Sequence, residues 1–128
     1  EVNKEAVAKL EKLGTGKIAA WSVDVGEEAE VVKGMAEIEE HFGRIDTCIA
    51  NAGVGRGAAS FEEMTIETWR YNQRINSEGA FFTLREAGKS MVKRAKAGDP
   101  GGRWSVRPRW PASKALAATR PMPTPKAA

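Results

Sequence analysis

The chain has 128 residues, of which 41% are apolar and 29% are charged, as in ordinary globular domains. This length is sufficient for one domain with a hydrophobic core. The sequence contains neither an apolar run of membrane-spanning length nor an opening signal peptide. Its single cysteine, Cys48, excludes an internal disulfide and is typical of a reducing compartment. We therefore expect a cytoplasmic protein without a membrane partner.

The net charge of +3 is unevenly distributed along the chain. Residues 107–128 contain five basic residues and no acidic ones, whereas residues 1–106 contain 15 basic and 17 acidic residues. The mildly acidic body predicts no nucleic-acid partner. Five of the six prolines also lie in the last segment. We therefore expect a domain over residues 1–106 and an irregular, basic, proline-rich tail over residues 107–128.

Apolar periodicity predicts helices and strands in alternation through the first half of the chain. The spacing predicts a helix over residues 2–13 and a strand over residues 18–25. An amphipathic pattern then predicts a helix over residues 26–42, which Gly43 ends. A second apolar run predicts a strand over residues 45–50.

The second half continues the same alternation. Thr65 is expected to cap a long helix that reaches about Lys96 and is broken near Gly79. The residues predicted to face inward from this helix are Trp69, Phe82, Ala87, Met91 and Val92. A strand is predicted to begin at residues 103–106. Strands that alternate with helices indicate an α/β fold with a parallel sheet.

The most informative segment runs from Ile45 to Gly53. Its apolar residues predict a strand covered on both faces. The small residues of Asn51-Ala52-Gly53 follow, and they allow the backbone to approach another molecule closely. Because ligands of open α/β sheets bind beyond the carboxyl ends of the strands, this turn is a candidate ligand site.

The tripeptide Asn51-Ala52-Gly53, preceded by Gly43-Arg44-Ile45-Asp46, resembles the Asn-Ala-Gly signature of the short-chain dehydrogenase/reductase family. The resemblance spans about residues 1–106. It implies a partial Rossmann-like parallel sheet with flanking helices, an NAD or NADP cofactor, and hydride transfer to or from a small-molecule alcohol or carbonyl. It also implies that the intact protein is a homo-oligomer. The alternative is a non-catalytic α/β interaction module with a basic tail, because fold alone does not fix function.

Asp24 and Val25 end the strand predicted over residues 18–25. Spacing alone makes Asp24 a helix N-cap that accepts backbone N–H bonds. In the family that the chain resembles, an Asp at this place, followed by an apolar residue, contacts the adenine ring. The resemblance therefore implies that Asp24 and Val25 bind the cofactor.

The resemblance also gives roles to the Asn51 turn and to Asn76. Asn51 is expected to be a turn residue bonded to its own backbone, and the resemblance implies that it also helps to hold the central sheet. In the family the turn runs beside the cofactor, so Asn51, Ala52 and Gly53 are implied to bind it, and the small side chains leave room for the nucleotide. Asn76 starts an Asn-x-x-Gly motif seven residues after Trp69. In the family, this Asn joins a Ser, a Tyr and a Lys in a catalytic tetrad and helps to hold a water in the proton relay. Without the resemblance, it is a solvated or kink-associated residue in a helix. One histidine and one cysteine predict no metal site.

Two family motifs are absent from the sequence. The glycine-rich phosphate-binding turn has no counterpart, because Gly14-Thr15-Gly16 precedes a predicted strand instead of following one. The Tyr-x-x-x-Lys pair is also missing, since the only tyrosine is Tyr71 and Ile75 stands four residues later. A phenol needs a neighbouring cation to transfer a proton near neutral pH. We therefore expect a chain that begins within a longer protein and is inactive or nearly so.

The tail has a pattern that a shifted reading frame explains. The shifted codon that straddles Pro121 and Met122 permits Tyr, and the one that straddles Pro125 and Lys126 permits Lys. These two codons are four apart, as in Tyr-x-x-x-Lys, and a Ser codon is permitted 13 codons before the Tyr. Our hypothesis is that about the last 22 residues come from a frameshifted gene or gene model.

Overall fold

The computed structural model describes residues 2–14, 16–57 and 60–106. In chain order, the elements are α1 (Val2–Glu11), α2 (Glu28–Phe42), β1 (Thr47–Ala50), α3 (Ile66–Gln73), a π-helical turn (Arg74–Glu78), α4 (Gly79–Lys96) and β2 (Arg103–Val106). β1 and β2 pair in parallel, from Thr47 opposite Arg103 to Ala50 opposite Val106. The predicted α/β fold, a parallel sheet with flanking helices, is confirmed. The tail over residues 107–128, with the codon pattern assigned to it, lies outside the described ranges.

The core lies between one face of β1 and helix α4. Helix α2 packs against α4, and its residues Met35 and Ile38 contact the same core. Cys48 of β1 is buried against Ala87 and Met91 of α4. Ile49 points to the opposite face of the strand and is 54% exposed. The prediction that this strand is covered on both faces is therefore wrong, because within residues 2–106 the helices pack on one face of β1.

The strand predicted over residues 18–25 is not formed. A strand requires a hydrogen-bonded neighbour, and the sheet of the described residues consists of β1 and β2 alone. An open apolar cavity of about 510 Å³ lies between this segment and α2, lined by Trp21, Val23 and Ile38 among others. The apolar side chains of this segment line the cavity, but within the described residues its backbone lacks the pairing that defines a strand.

The long helix departs from expectation at its middle. Thr65 caps α3 as predicted, since its side chain accepts a hydrogen bond from the backbone N–H of Thr68 at 3.2 Å. No break occurs near Gly79. Instead, the Gly79 N–H donates to the carbonyl of Arg74, five residues earlier, and the helical region continues through the π-helical turn Arg74–Glu78, called the π-turn below.

The predicted inward face of this helical region is correct only in part. Ala87 is fully buried and Met91 nearly so, whereas Trp69 is 49% and Val92 is 53% exposed. Val92 follows Met91 directly, so a rotation of about 100° carries it off the face that contacts β1. Trp69 is exposed because α3 has no buried residue at all.

A cluster of arginines and carboxylates joins the segments that lead into the two strands. Arg94, 15% exposed at its side chain, donates to the carbonyl of Ile45 at 3.0 Å and to the Asp46 carboxylate at 3.0 Å. Arg44 also donates to Asp46, and it bonds Asp99 at 3.0 Å. The backbone N–H of Arg103 donates to the carbonyl of Asp46, which completes the link between the two strand entries.

The cluster predicts that the free energy of unfolding falls in acid. The hydrogen bond from Arg44 holds the pKa of Asp46 below its ordinary value, and the charges of Arg44 and Arg94 lower it further. A depressed folded-state pKa contributes stability above the ordinary Asp pKa, and this contribution is lost as pH falls through the folded-state pKa. Asp46→Asn should therefore flatten the acid limb of stability measured by urea unfolding over a pH series. Glu62→Gln, at an exposed carboxylate without an ion pair in the described residues, is the control. An unchanged acid limb in Asp46→Asn would contradict the prediction.

Candidate functional site

The Asn51-Ala52-Gly53 turn begins where β1 ends. Ala50 pairs with Val106, so the carboxyl ends of both strands meet beside this turn. Asn51 and Ala52 are exposed and Gly53 is half-buried. The Asn51 amide makes no hydrogen bond to another described residue, so neither its expected backbone bond nor a sheet-holding bond is present in this part of the chain. The turn therefore offers exposed backbone and small side chains.

Two asparagines hold the loop that follows the turn. The Val54 N–H donates to Oδ1 of Asn76 at 2.8 Å, and Nδ2 of Asn76 donates to the Val54 carbonyl at 2.9 Å. The Arg56 N–H donates to Oδ1 of Asn72 at 3.1 Å, and Nδ2 of Asn72 donates to the Arg56 carbonyl at 2.7 Å. We call these four residues the amide clamp.

The amide clamp works because two periodicities match. Asn72 and Asn76 are four residues apart, which places them on one helix face about 6 Å apart along the axis. Val54 and Arg56 are two residues apart, which separates them by about 6.6 Å in extended backbone. The N–H and C=O groups of alternate residues in extended backbone point the same way. The two side-chain amides therefore bind the loop as a neighbouring strand would.

Asp24 contacts the same helical region through Arg74. Its Oδ1 accepts from the Gly26 N–H at 2.9 Å, and its Oδ2 accepts from both terminal nitrogens of Arg74 at 3.3 Å. The N-cap of α2 is Glu27, so the interpretation of Asp24 as the helix cap is wrong. Asp24 instead closes the turn before the helix. Glu27 also binds Arg74, at 2.6 Å.

Two glycines allow this turn to lie close to the helical region. A Cβ atom on Gly26 would lie 2.8 Å from Nη1 of Arg74, and one on Gly79 would lie 2.8 Å from Cγ2 of Val25. At Gly79 the Val25 carbonyl oxygen would also lie 3.1 Å from the Cβ, so hydrogen at this position allows Val25 to pack against the helix. At Gly26 the neighbour is the flexible side chain of Arg74, which a Cβ would displace. The helical region therefore holds both candidate segments. Asp24 binds Arg74 of the π-turn, and Val25 packs against Gly79 at the start of α4. The loop after Asn51 is bonded to Asn72 and Asn76.

Sequence reasoning missed Arg74, Asn72 and the stacking around Tyr71. The Arg56 guanidinium carbon lies 3.7 Å from the centroid of the Tyr71 ring, and that of Arg74 lies 6.0 Å from it. The partners of Arg74 stand about 50 positions away in sequence, so no local pattern indicates them. The spacing of Asn72 and Asn76 by four was the one available signal.

The model of the short chain dehydrogenase family matches residues 1–99. The chain belongs to the short-chain dehydrogenase family. Among its relatives, it is 32% identical over 102 residues to the short-chain dehydrogenase/reductase eriH of Hericium erinaceus, covering 75% of this chain and 40% of that protein. It is 36% identical over 91 residues to meso-2,3-butanediol dehydrogenase of Serratia marcescens, covering 70% of this chain and 36% of that enzyme.

Solved structures of short-chain dehydrogenases share the fold. The NAD⁺-bound xylitol dehydrogenase superposes with a TM-score of 0.74 at 23% identity, over 81% of this chain and 38% of that one. A short-chain type dehydrogenase/reductase from Mycobacterium marinum superposes with a TM-score of 0.72 at 23% identity, over 80% of this chain and 38% of that one. This chain thus spans two fifths or less of the relatives compared here. No helix in the described ranges is both long and apolar enough to cross a membrane.

Proposed function

We propose that this short-chain dehydrogenase chain forms the central part of a nicotinamide-cofactor groove. The intact protein would be an oxidoreductase that uses NAD or NADP on a small-molecule alcohol or carbonyl. The observation that carries the proposal is the amide clamp, which presents the exposed Asn51-Ala52-Gly53 turn beside the π-turn that also holds Asp24. Nothing in the comparisons favours the alternative, a non-catalytic interaction module.

The Asp24 carboxylate retains capacity for an adenine amino group. It accepts hydrogen bonds from the Gly26 N–H and from Arg74, whereas a carboxylate offers about four lone-pair sites. Val25 supplies an apolar side chain next to it, suited to the face of a purine. In the proposed groove, Asp24 and Val25 bind the adenine end, and Asn51, Ala52 and Gly53 lie along the nucleotide.

The bound nicotinamide would supply or accept the hydride. This chain's residues hold and orient it, since small side chains at Ala52 and Gly53 admit the cofactor against the backbone. Asn76 uses one N–H and one oxygen lone pair on Val54, so its second N–H and second lone pair remain for a water. Asn76 thus both positions the loop and stays available for the proton relay.

The experiment is nucleotide binding without turnover by the 128-residue chain. We expect AMP and NADH to shift the NMR amide signals of residues 24–26 and 51–54, and Gly53→Val to weaken this binding, because its side chain would occupy the groove. Gly57→Val is the matched control, since a Cβ there meets nothing within 4 Å. Carbonyl reduction should be negligible without Tyr-x-x-x-Lys. Binding that leaves both segments unshifted would refute the groove, and ordinary turnover would refute the inactivity.

The origin of the tail is a separate proposal with its own test. Sequencing the locus decides whether residues 107–128 are read in a shifted frame. A second frame that encodes Tyr-x-x-x-Lys at the positions of residues 121–126 would support the hypothesis. Nucleotides that remain in frame with a normal coding sequence through this region would refute it.

A further inference from the structure

Arg56 is held at both its backbone and its side chain. Its N–H and C=O both bind Asn72, which fixes the position of the Cα atom. Its guanidinium carbon lies 3.7 Å from the centroid of the Tyr71 ring, so the guanidinium is stacked over the ring. An exposed arginine otherwise samples many rotamers, so both contacts lower the entropy that binding would cost.

The charge of Arg56 has no carboxylate partner among the described residues, in contrast to four other arginines. The arginines that form ion pairs there are Arg44, Arg74, Arg85 and Arg94. Stacking on Tyr71 covers the face of the guanidinium and leaves the N–H groups at its edge for a ligand. A planar edge of N–H donors matches the two oxygens of a carboxylate or the oxygens of a phosphate.

The position of Arg56 connects this cation with the candidate groove. It stands three residues beyond Gly53, which corresponds to about 10 Å of extended backbone. We propose that Arg56 anchors an oxyanion of the ligand, either a carboxylate of the substrate or a phosphate of the cofactor, with Tyr71 and Asn72 as its positioning residues. This inference rests on the proposed function for the identity of the ligand, but not for the binding of an anion.

Arg70 provides a matched comparison. It is exposed, next to Tyr71 in sequence, and without an ion pair in the described part of the chain. It shows neither ring stacking nor a backbone pairing like that of Arg56. A non-specific attraction of anions to surface charge would therefore involve Arg70 as much as Arg56.

The test is a titration of the full 128-residue chain with sodium benzoate, inorganic phosphate and neutral benzamide, followed by NMR. We expect benzoate or phosphate, but not benzamide, to shift the Arg56 side-chain N–H signal. Arg56→Gln should weaken the anion's binding about tenfold, as loss of a charged hydrogen bond predicts. Arg56→Lys should restore part of it, and Arg70→Gln should leave it unchanged. Equal losses in Arg56→Gln and Arg70→Gln, or no loss in Arg56→Gln, would overturn the proposal.

Two further readouts make the result specific. Tyr71→Phe keeps the ring and should retain anion binding, whereas Tyr71→Leu should weaken it. Equal anion binding in both variants would show that Tyr71 does not position Arg56.

Preference for benzoate assigns the anion to the substrate, and preference for phosphate assigns it to the cofactor. AMP shifts at residues 24–26 test the proposed function independently, so anion binding at Arg56 without those shifts would refute the groove and not the anchor.

Discussion

Replacing Gly79 by alanine should lower the free energy of unfolding by about 1–2 kcal/mol, although alanine is the better helix former. The added Cβ would lie 2.8 Å from Cγ2 of Val25 and 3.1 Å from the Val25 carbonyl oxygen. Valine is stiff about its first side-chain torsion, so the contact is relieved only by moving backbone. The clash thus exceeds the gain of about 1 kcal/mol in helix propensity.

Gly88 provides the matched control on the same helix. A Cβ at this position meets nothing within 4 Å, so Gly88→Ala should raise the free energy of unfolding by up to about 1 kcal/mol. Urea unfolding followed by tryptophan fluorescence measures both changes. Gly79→Ala should also weaken AMP binding, because Val25 must move, and Gly88→Ala should not. Stabilisation by both substitutions would show that the close packing of Val25 against Gly79 is wrong.

Asn76→Leu should release the loop from the helical region and weaken nucleotide binding. The leucine is similar in size but removes both hydrogen bonds to Val54. Water replaces part of each bond at this exposed site, so we expect a loss of about 1–2 kcal/mol in unfolding free energy. The effect on AMP binding should be larger than this loss explains, because the loop beside Gly53 loses its fixed position.

Hydrogen exchange at the Val54 amide reports the release directly, since this N–H is protected only through Asn76. Gln73→Leu is the control: Gln73 lies at the end of α3, and its side chain binds Ser77 instead of the loop. We expect Gln73→Leu to leave both Val54 exchange and AMP binding unchanged. Unaltered Val54 exchange in Asn76→Leu would show that the clamp does not hold the loop.

Local patterns predicted those parts of the fold that depend on neighbours in sequence. The Thr65 cap and strand β1 follow from residues within a few positions of each other. The strand predicted over residues 18–25 failed because pairing depends on distant chain, which an apolar run does not reveal. The same limit explains Ile49, whose exposure depends on which helices cover the sheet.

For the candidate site too, the sequence predicted some features and not others. Asn51, Asn76 and Asp24 were all identified through the family resemblance, whereas the place of Asp24 before a helix gave only the incorrect N-cap interpretation. The contacts that these residues make could not be predicted, because Val54 and Asn76 are 22 positions apart in sequence and Asp24 and Arg74 are 50 apart. The sequence thus indicated which residues matter, and the structure shows that one helical region positions them.

The π-turn sets how far the helical segment after it is rotated, about the helix axis, relative to the segment before it. Asn72 and Asn76 face the loop, while Ala87 and Met91 face β1, and the surplus residue in the turn sets the angle between these faces. Loss of one residue from Arg74–Glu78 would rotate everything beyond it by about 100°. The same helix could then no longer bind the loop and pack against β1 at the same time. This short segment should therefore tolerate changes of residue better than changes of length.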